Sequence, residues 1–123
     1  MAQAAEKTRS KRVMIVEDST MMRTIIARIV SGIPGTSVVA QACHGKDALS
    51  KLKEAGPDLI LLDLEMPCMD GLTFLRHARL RTRAPVVVLS SVAQAGSPKA
   101  LEARRLGAVA VIGKPSGLSL IHI

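Results

Sequence analysis

The chain has 123 residues, 48% of them hydrophobic, with one Phe and no Trp or Tyr; it is a globular domain with an aliphatic core, not a disordered chain. Its formal net charge of +7 is scattered along the sequence, with no aromatic residues between the cations to stack on bases and no helix-turn-helix pattern, so nucleic acid is not the expected partner. No apolar run approaches the roughly 18 residues of a membrane span, and the polar, basic stretch from Met1 to Arg12 lacks the apolar segment of a secretory signal, so the expected location is the cytoplasm, away from membranes.

The alternation of short aliphatic runs with amphipathic stretches sets the expected elements. Residues 1–10, with Lys7 and Arg9, read as a flexible basic tail, and one domain is expected over residues 11–115. Its first strand is Val13-Met14-Ile15-Val16. A helix from Ser19 to Ser31 carries Met22, Ile25, Ile26, Ile29 and Val30 on one side. Val38-Val39-Ala40 is a second strand; its stronger alternation assigns it to a sheet edge. Lys46 to Ala55 is helical, with Ala48, Leu52 and Ala55 on one face and Gly56-Pro57 as the stop. Leu59-Ile60-Leu61-Leu62 is the third strand, and Asp70-Gly71 opens a helix that turns Leu72 and Leu75 inward. Val86-Val87-Val88-Leu89 follows as a strand. Ser97-Pro98 then supplies an N-cap with Pro at the first helical position, and Gly107 closes that helix. Val109-Ala110-Val111-Ile112 is the last strand, and residues 116–123 read as a short tail or truncated linker.

Strands alternating with helices imply an α/β fold, a doubly wound five-stranded parallel sheet with right-handed crossovers. Ligands of such sheets bind beyond the carboxyl ends of the strands. The polar residues of this chain stand at those ends: Glu17-Asp18 after the first strand, Asp63 after the third, Ser90-Ser91 after the fourth, and Lys114-Pro115 after the fifth. Clustered carboxylates repel, so one becomes neutral unless a cation joins them. Hard oxygen donors suit Mg²⁺, and nothing soft is present for zinc or copper. A carboxylate can attack phosphorus to give an aspartyl phosphate, while a lysine and a serine hydroxyl serve phosphoryl oxygens. Each group also has an ordinary explanation: Glu17-Asp18 as a helix cap, Asp63 as a turn residue, Lys114 as a surface lysine. Their coincidence at four strand ends favours a site.

Other features carry less. Cys43 and Cys68 are far apart and outside any metal-binding spacing, and read as free thiols. His44, His77 and His122 have no mutual spacing for metal or base chemistry. Arg76, Arg79, Arg81 and Arg83, and likewise Arg104 and Arg105, lie at helix C-terminal ends, where cations complement the dipole.

The stretches Val13 to Ser19, Asp58 to Gly71, Val86 to Ser91 and Gly113-Lys114-Pro115 resemble the receiver domains of two-component response regulators. Through Glu65-Met66-Pro67, Ser90-Ser91 and Lys114 to Gly117 the chain is most similar to the receiver of chemotaxis protein-glutamate methylesterases. The resemblance implies the sheet order 2-1-3-4-5 and assigns roles. Asp63 is the phosphoacceptor, Asp18 a direct Mg²⁺ ligand, Glu17 its acidic neighbour acting through water, and the Glu65 backbone carbonyl the third protein ligand. Ser90 is the hydroxyl that moves to the phosphoryl group, and Lys114 the lysine that pairs with it, with a cis bond to Pro115. It also implies a sensor histidine kinase as donor and a methylesterase output domain in a longer parent.

Two departures from the family stand out. Val111 occupies the position of the usual rotating aromatic or histidine, and the fifth helix has too few residues after Pro115. The sheet face that helix covers is then exposed and apolar, open to self-association or to another chain. With no methylesterase catalytic domain in these residues, no ester hydrolysis is expected, only self-catalysed phosphotransfer and dephosphorylation. A haloacid-dehalogenase-type phosphohydrolase needs a second Asp two residues after the nucleophile, where Glu65 stands, and a P-loop is excluded by Pro115 after Gly113-Lys114. The remaining alternatives are an adaptor that is never phosphorylated and, less favoured, a DNA-associated regulator fragment.

Overall fold

A computed structural model describes residues 10–66, 69–90 and 96–115. The expected tails lie outside these, save Ser10, as do Cys68, Ser91 and His122. The elements alternate as foreseen: β1 (Lys11–Val16), α1 (Thr20–Ser31), β2 (Thr36–Ala42), α2 (Gly45–Ala55), β3 (Leu59–Asp63), α3 (Gly71–Arg79), β4 (Val86–Ser90), α4 (Pro98–Arg105) and β5 (Ala110–Gly113). All five strands pair in parallel, in the order β2-β1-β3-β4-β5. The alternating strand, β2, is at an edge.

The alternation of side chains along each strand divides the core in two. Met14, Val16, Ile60, Leu62, Val86 and Val88 point to one face, where α2, α3 and α4 cover them with Leu52, Phe74, Leu75, Ala78, Ala100 and Ala103. Val13, Ile15, Leu61 and Leu89 point to the other, where α1 meets them with Ile26 and Val30. Each fully buried side chain of this size contributes about 1.5–3 kcal/mol, so near-continuous apolar strands are what a sheet covered on both faces requires.

Among the described residues no helix follows β5, and α1 is the single helix on its face. Beside it runs an apolar groove of about 380 Å³, lined by Ile26, Ile29, Leu61, Leu89, Ile112 and Pro115 among others. Ile29, expected to turn inward with the rest of its helix face, is 39% exposed and rims this groove. Its burial needs a neighbour that the described residues do not provide.

Helix ends follow their caps. Ser19 Oγ accepts the Met22 amide, Asp70 Oδ1 the Thr73 amide and Ser97 Oγ the Ala100 amide. The cap of α2 is His44, whose Nδ1 accepts the Asp47 amide at 3.0 Å. Pattern reading missed it because histidine is not among the usual capping residues. Gly56 ends α2 with φ at +52°, in the left-handed region where a side chain is strained.

Candidate functional site

Strand register brings the polar residues together. Val16 pairs with Leu62, so one further step along β1 and β3 sets Glu17 opposite Asp63. Ser90 pairs with Gly113, so the next residue after β5 is Lys114, whose amide donates to the Ser90 carbonyl at 2.8 Å. These strand ends lie at the point where the order reverses between β1 and β3, the crevice that open α/β sheets use for ligands.

Glu17 and Asp63 are fully buried, and Lys114 bridges them, with Nζ at 2.9 Å from Glu17 Oε1 and 3.0 Å from Asp63 Oδ1. Asp63 Oδ1 also accepts the Glu65 amide at 3.0 Å. Glu17 Oε2 accepts the Ser19 amide at 3.0 Å, and the Glu17 amide donates to Ala42 O at 3.0 Å. Two buried oxygens, Glu17 Oε1 and Asp63 Oδ2, have no hydrogen-bond donor aligned on them. For Glu17 Oε1 the 2.9 Å approach of Lys114 is therefore an ionic contact off the hydrogen-bond axis, whereas Asp63 Oδ2 has no cation within salt-bridge distance. Ser90 is buried beside them at the end of β4.

The charges respond to this crowding. Burial pushes the Asp63 carboxyl up to about 7, reinforced by the neighbouring Glu17 charge; the Glu65 amide and Lys114 oppose the rise and only partly offset it. For Asp18, burial also acts upward, but hydrogen bonding to Glu17 and Asp63 and the charge of Lys114 outweigh it and hold the carboxyl below its usual value. Burial works against the Lys114 ammonium, yet contacts with Glu17 and Asp63 win and hold its pKa above the ordinary lysine value. With its carboxyl raised to about 7, Asp63 is partly protonated near neutral pH, as expected where carboxylates share a site with one cation.

The donor set fits a divalent cation. One carboxylate oxygen from each of Glu17, Asp18 and Asp63 lies within 4.8 Å of the others. Octahedral Mg²⁺ bonds oxygen at 2.0–2.1 Å and so spans ligand pairs up to about 4.2 Å, a contraction that the exposed Asp18 can supply. Asp63 Oδ2 is a buried acceptor with no aligned donor and no cation in range, and so is open to a metal ion or a donor. All three donors are hard oxygens, which favours Mg²⁺ over soft metals.

Every expected site residue among those described is therefore near the common rim, with Glu65 linked through its backbone amide. Its side chain turns instead to Lys99 of α4, 3.7 Å away. Lys114–Pro115 departs from expectation. No cis peptide bond occurs among the described residues, so this bond is trans, the isomer favoured before proline by about 0.5–1 kcal/mol. The alternative roles divide: Ser19, not Glu17-Asp18, caps α1. Lys114 is a mostly buried ion-pair partner, not a surface lysine. Two contacts escaped sequence reading, the Glu65 amide on Asp63 and the Arg23 guanidinium on the Glu17 carbonyl at 2.8 Å. The first had no side-chain signal. The second had one: Arg23 is a cation near the N-terminal end of a helix, where the dipole disfavours it.

Comparison with known proteins agrees with this geometry. Residues 13–123 match the family described as the response regulator receiver domain. A protein-glutamate methylesterase/protein-glutamine glutaminase of Treponema pallidum is 42% identical over 119 residues, covering 96% of this chain and 30% of the relative. One from Treponema denticola is 46% identical over 107 residues, covering 86% and 29%. This chain thus spans about 30% of the length of such relatives. Among solved structures, the response regulator domain of Thermotoga maritima CheB is 37% identical with a TM-score of 0.81, covering 89% of this chain and 81% of that one. CheY6 of R. sphaeroides in complex with the P1 domain of CheA3 is matched at 55% identity and TM-score 0.77, covering 89% and 85%.

Proposed function

This chain belongs to the response regulator receiver domain family, of the chemotaxis type, and we propose that Asp63 takes a phosphoryl group from a sensor histidine kinase with Mg²⁺ bound alongside. The observation that carries this reading is Asp63 Oδ2, a buried carboxylate oxygen without an aligned donor, beside two further acids and a lysine. In the transfer, one Asp63 oxygen attacks the phosphorus of a phosphohistidine. An O–P bond forms as the P–N bond breaks, and the bonding pair stays on the imidazole. The Glu65 amide and Lys114 both hold Oδ1, which leaves Oδ2 as the attacking atom. Lys114 then pairs with a phosphoryl oxygen while Glu17 keeps its ammonium in place. The Ser90 hydroxyl donates to another oxygen, and the loop arrangement that binds the phosphoryl group best gains population. When bound, Mg²⁺ would be held by Asp18, Asp63 and the Glu65 carbonyl, with Glu17 acting through water, and would neutralise the charge developing on the phosphoryl oxygens.

The same reading takes residues 11–115 as the receiver, with tails on either side. It predicts no ester hydrolysis by this chain and a cytoplasmic location; no helix among the described residues is long and apolar enough to cross a membrane. The groove beside α1 is where it places contact with another copy or with the rest of a longer parent carrying a methylesterase domain. The decisive experiment is exposure to acetyl phosphate or beryllofluoride with and without Mg²⁺, followed by mass and NMR. Modification should require Mg²⁺ and vanish in Asp63→Asn. A protein unchanged under all conditions is the never-phosphorylated adaptor, and the reading then fails.

A further inference from the structure

We propose that Arg23 is a positioning residue for the metal-binding acids, acting through the backbone carbonyl of Glu17. The inference rests on the Mg²⁺ reading above and deepens it.

Arg23 lies one residue past the first turn of α1, a helix with no acidic residue in that turn. A cation that close to the N-terminal end gains nothing from the helix dipole. Its guanidinium does not face bulk water. The side chain is half-buried and folds back over six residues to donate from Nη1 to Glu17 O at 2.8 Å. That carbonyl belongs to the peptide joining Glu17 to Asp18, so the bond fixes the plane from which Asp18 departs.

The other backbone and ion-pair contacts of this corner fall on Glu17, while the Asp18 carboxylate interacts with Glu17, Asp63 and the Lys114 charge. The Glu17 amide is held by Ala42, Oε2 by the Ser19 amide and Oε1 by Lys114. Asp18 is exposed and has no hydrogen bond from a side-chain cation, yet its carboxylate must meet those of Glu17 and Asp63 around one ion. The Arg23 clasp transmits the rigidity of α1 to it. It also places a permanent cation behind the acids without occupying the position of a metal ion.

These two effects have opposite signs for metal binding, which makes the role testable. If Arg23 acted only as a nearby charge, removing it would tighten Mg²⁺ binding by lifting repulsion. If it positions Asp18, removing it weakens binding, as loss of groups that orient metal ligands generally does by about 10–100-fold.

The experiment titrates the full chain with MgCl₂ by calorimetry at pH 8, comparing wild type with Arg23→Gln, Arg23→Lys and Asp18→Asn. Urea unfolding in EDTA serves as the control for folding. The expected result is an Mg²⁺ affinity about tenfold lower in Arg23→Gln, with an unchanged urea midpoint. Arg23→Lys, which keeps the charge but loses the planar fork, should also be weakened. Phosphorylation by acetyl phosphate should return to the wild-type rate once Mg²⁺ saturates the variant. An unchanged or tighter affinity in Arg23→Gln overturns the inference. So does a loss of affinity matched by a loss of stability in EDTA and fully rescued by lysine. Wild type that binds no Mg²⁺ overturns the underlying reading as well. Wild type that binds Mg²⁺, with Asp18→Asn that does not, leaves that reading standing whatever Arg23 does.

Discussion

Gly71 lies so close beneath Asp63 that a Cβ built on it would stand 2.7 Å from the Asp63 carbonyl oxygen and 2.6 Å from Leu64 Cα. Both obstacles are backbone, so neither can swing aside. The Gly71 amide donates to Leu64 O at 3.2 Å, which closes the loop that presents Glu65 to the site. Gly71→Ala should therefore displace this loop despite the better helix propensity of alanine. We expect a loss of about 1–3 kcal/mol in urea unfolding, with slower phosphorylation at saturating Mg²⁺. Wild-type stability and rate in this variant would show that the loop tolerates the side chain.

The protonation of Asp63 predicts an inverted pH dependence in the absence of metal. Its carboxyl is raised to about 7 in the native state by burial, against 3.8 ordinarily, so the native state holds a proton that the unfolded chain releases. This group's contribution to stability is greatest below about pH 4 and is lost as pH rises towards 7. In EDTA, Asp63→Asn should be more stable than wild type at pH 8 by about 1–3 kcal/mol and no more stable near pH 4. Parallel stability curves for the two proteins between these limits would contradict it.

Lys114 is the cation that offsets two buried carboxylates, and removing one partner of such a set leaves charge uncompensated. Lys114→Met should cost about 3 kcal/mol at pH 8 without metal. The cost should shrink at pH 6, where a proton on Asp63 substitutes for the ammonium. Phosphorylation should fall about 10²–10³-fold, the usual loss when one charge-stabilising donor is removed. Chemical unfolding at the two pH values, with a phosphorylation time course, checks both parts. An equal cost at both pH values would sink the electrostatic account.

Asp70 caps α3 directly after the site loop, and the Thr73 amide on its carboxylate, outweighing the effect of burial, holds its pKa below the ordinary value. This stabilisation is present above the unfolded value near 3.9 and disappears as pH falls through the lower native one. Asp70→Ala should cost about 0.5–2 kcal/mol at pH 7 and progressively less in strong acid. A cost independent of pH would show that the cap acts through the uncharged carboxyl.

Much of the fold could be read locally. Continuous apolar strands such as Ile60 to Leu62 and the alternating β2 follow directly from covered and edge positions. Ser19, Asp70 and Ser97 announce their helices, because capping is a contact within three residues. Glu17, Asp18, Asp63, Ser90 and Lys114 could be named as candidates because each directly follows or ends a strand. Their burial order could not. Glu17, next to the expected direct ligand, is fully buried like Asp63, while Asp18 is exposed. The trans Lys114–Pro115 bond, the histidine cap of α2 and the exposure of Ile29 also lay beyond local pattern.

The amino-acid sequence alone determined the element order, the two covered faces of the sheet and the set of polar residues at its carboxyl rim. These depend on side-chain periodicity and on contacts a few residues apart. Only the tertiary structure decided that Lys114 Nζ stands between Glu17 and Asp63, that the Glu65 amide occupies one oxygen of Asp63, and that Arg23 holds the Glu17 carbonyl. The two Lys114 contacts join groups 97 and 51 residues apart (114 − 17 and 114 − 63), and each of the other two pairs a side chain with a backbone group that sequence pattern does not place. Desolvation and charge act through space, so which acid keeps a proton is set by neighbours that only the folded sheet supplies.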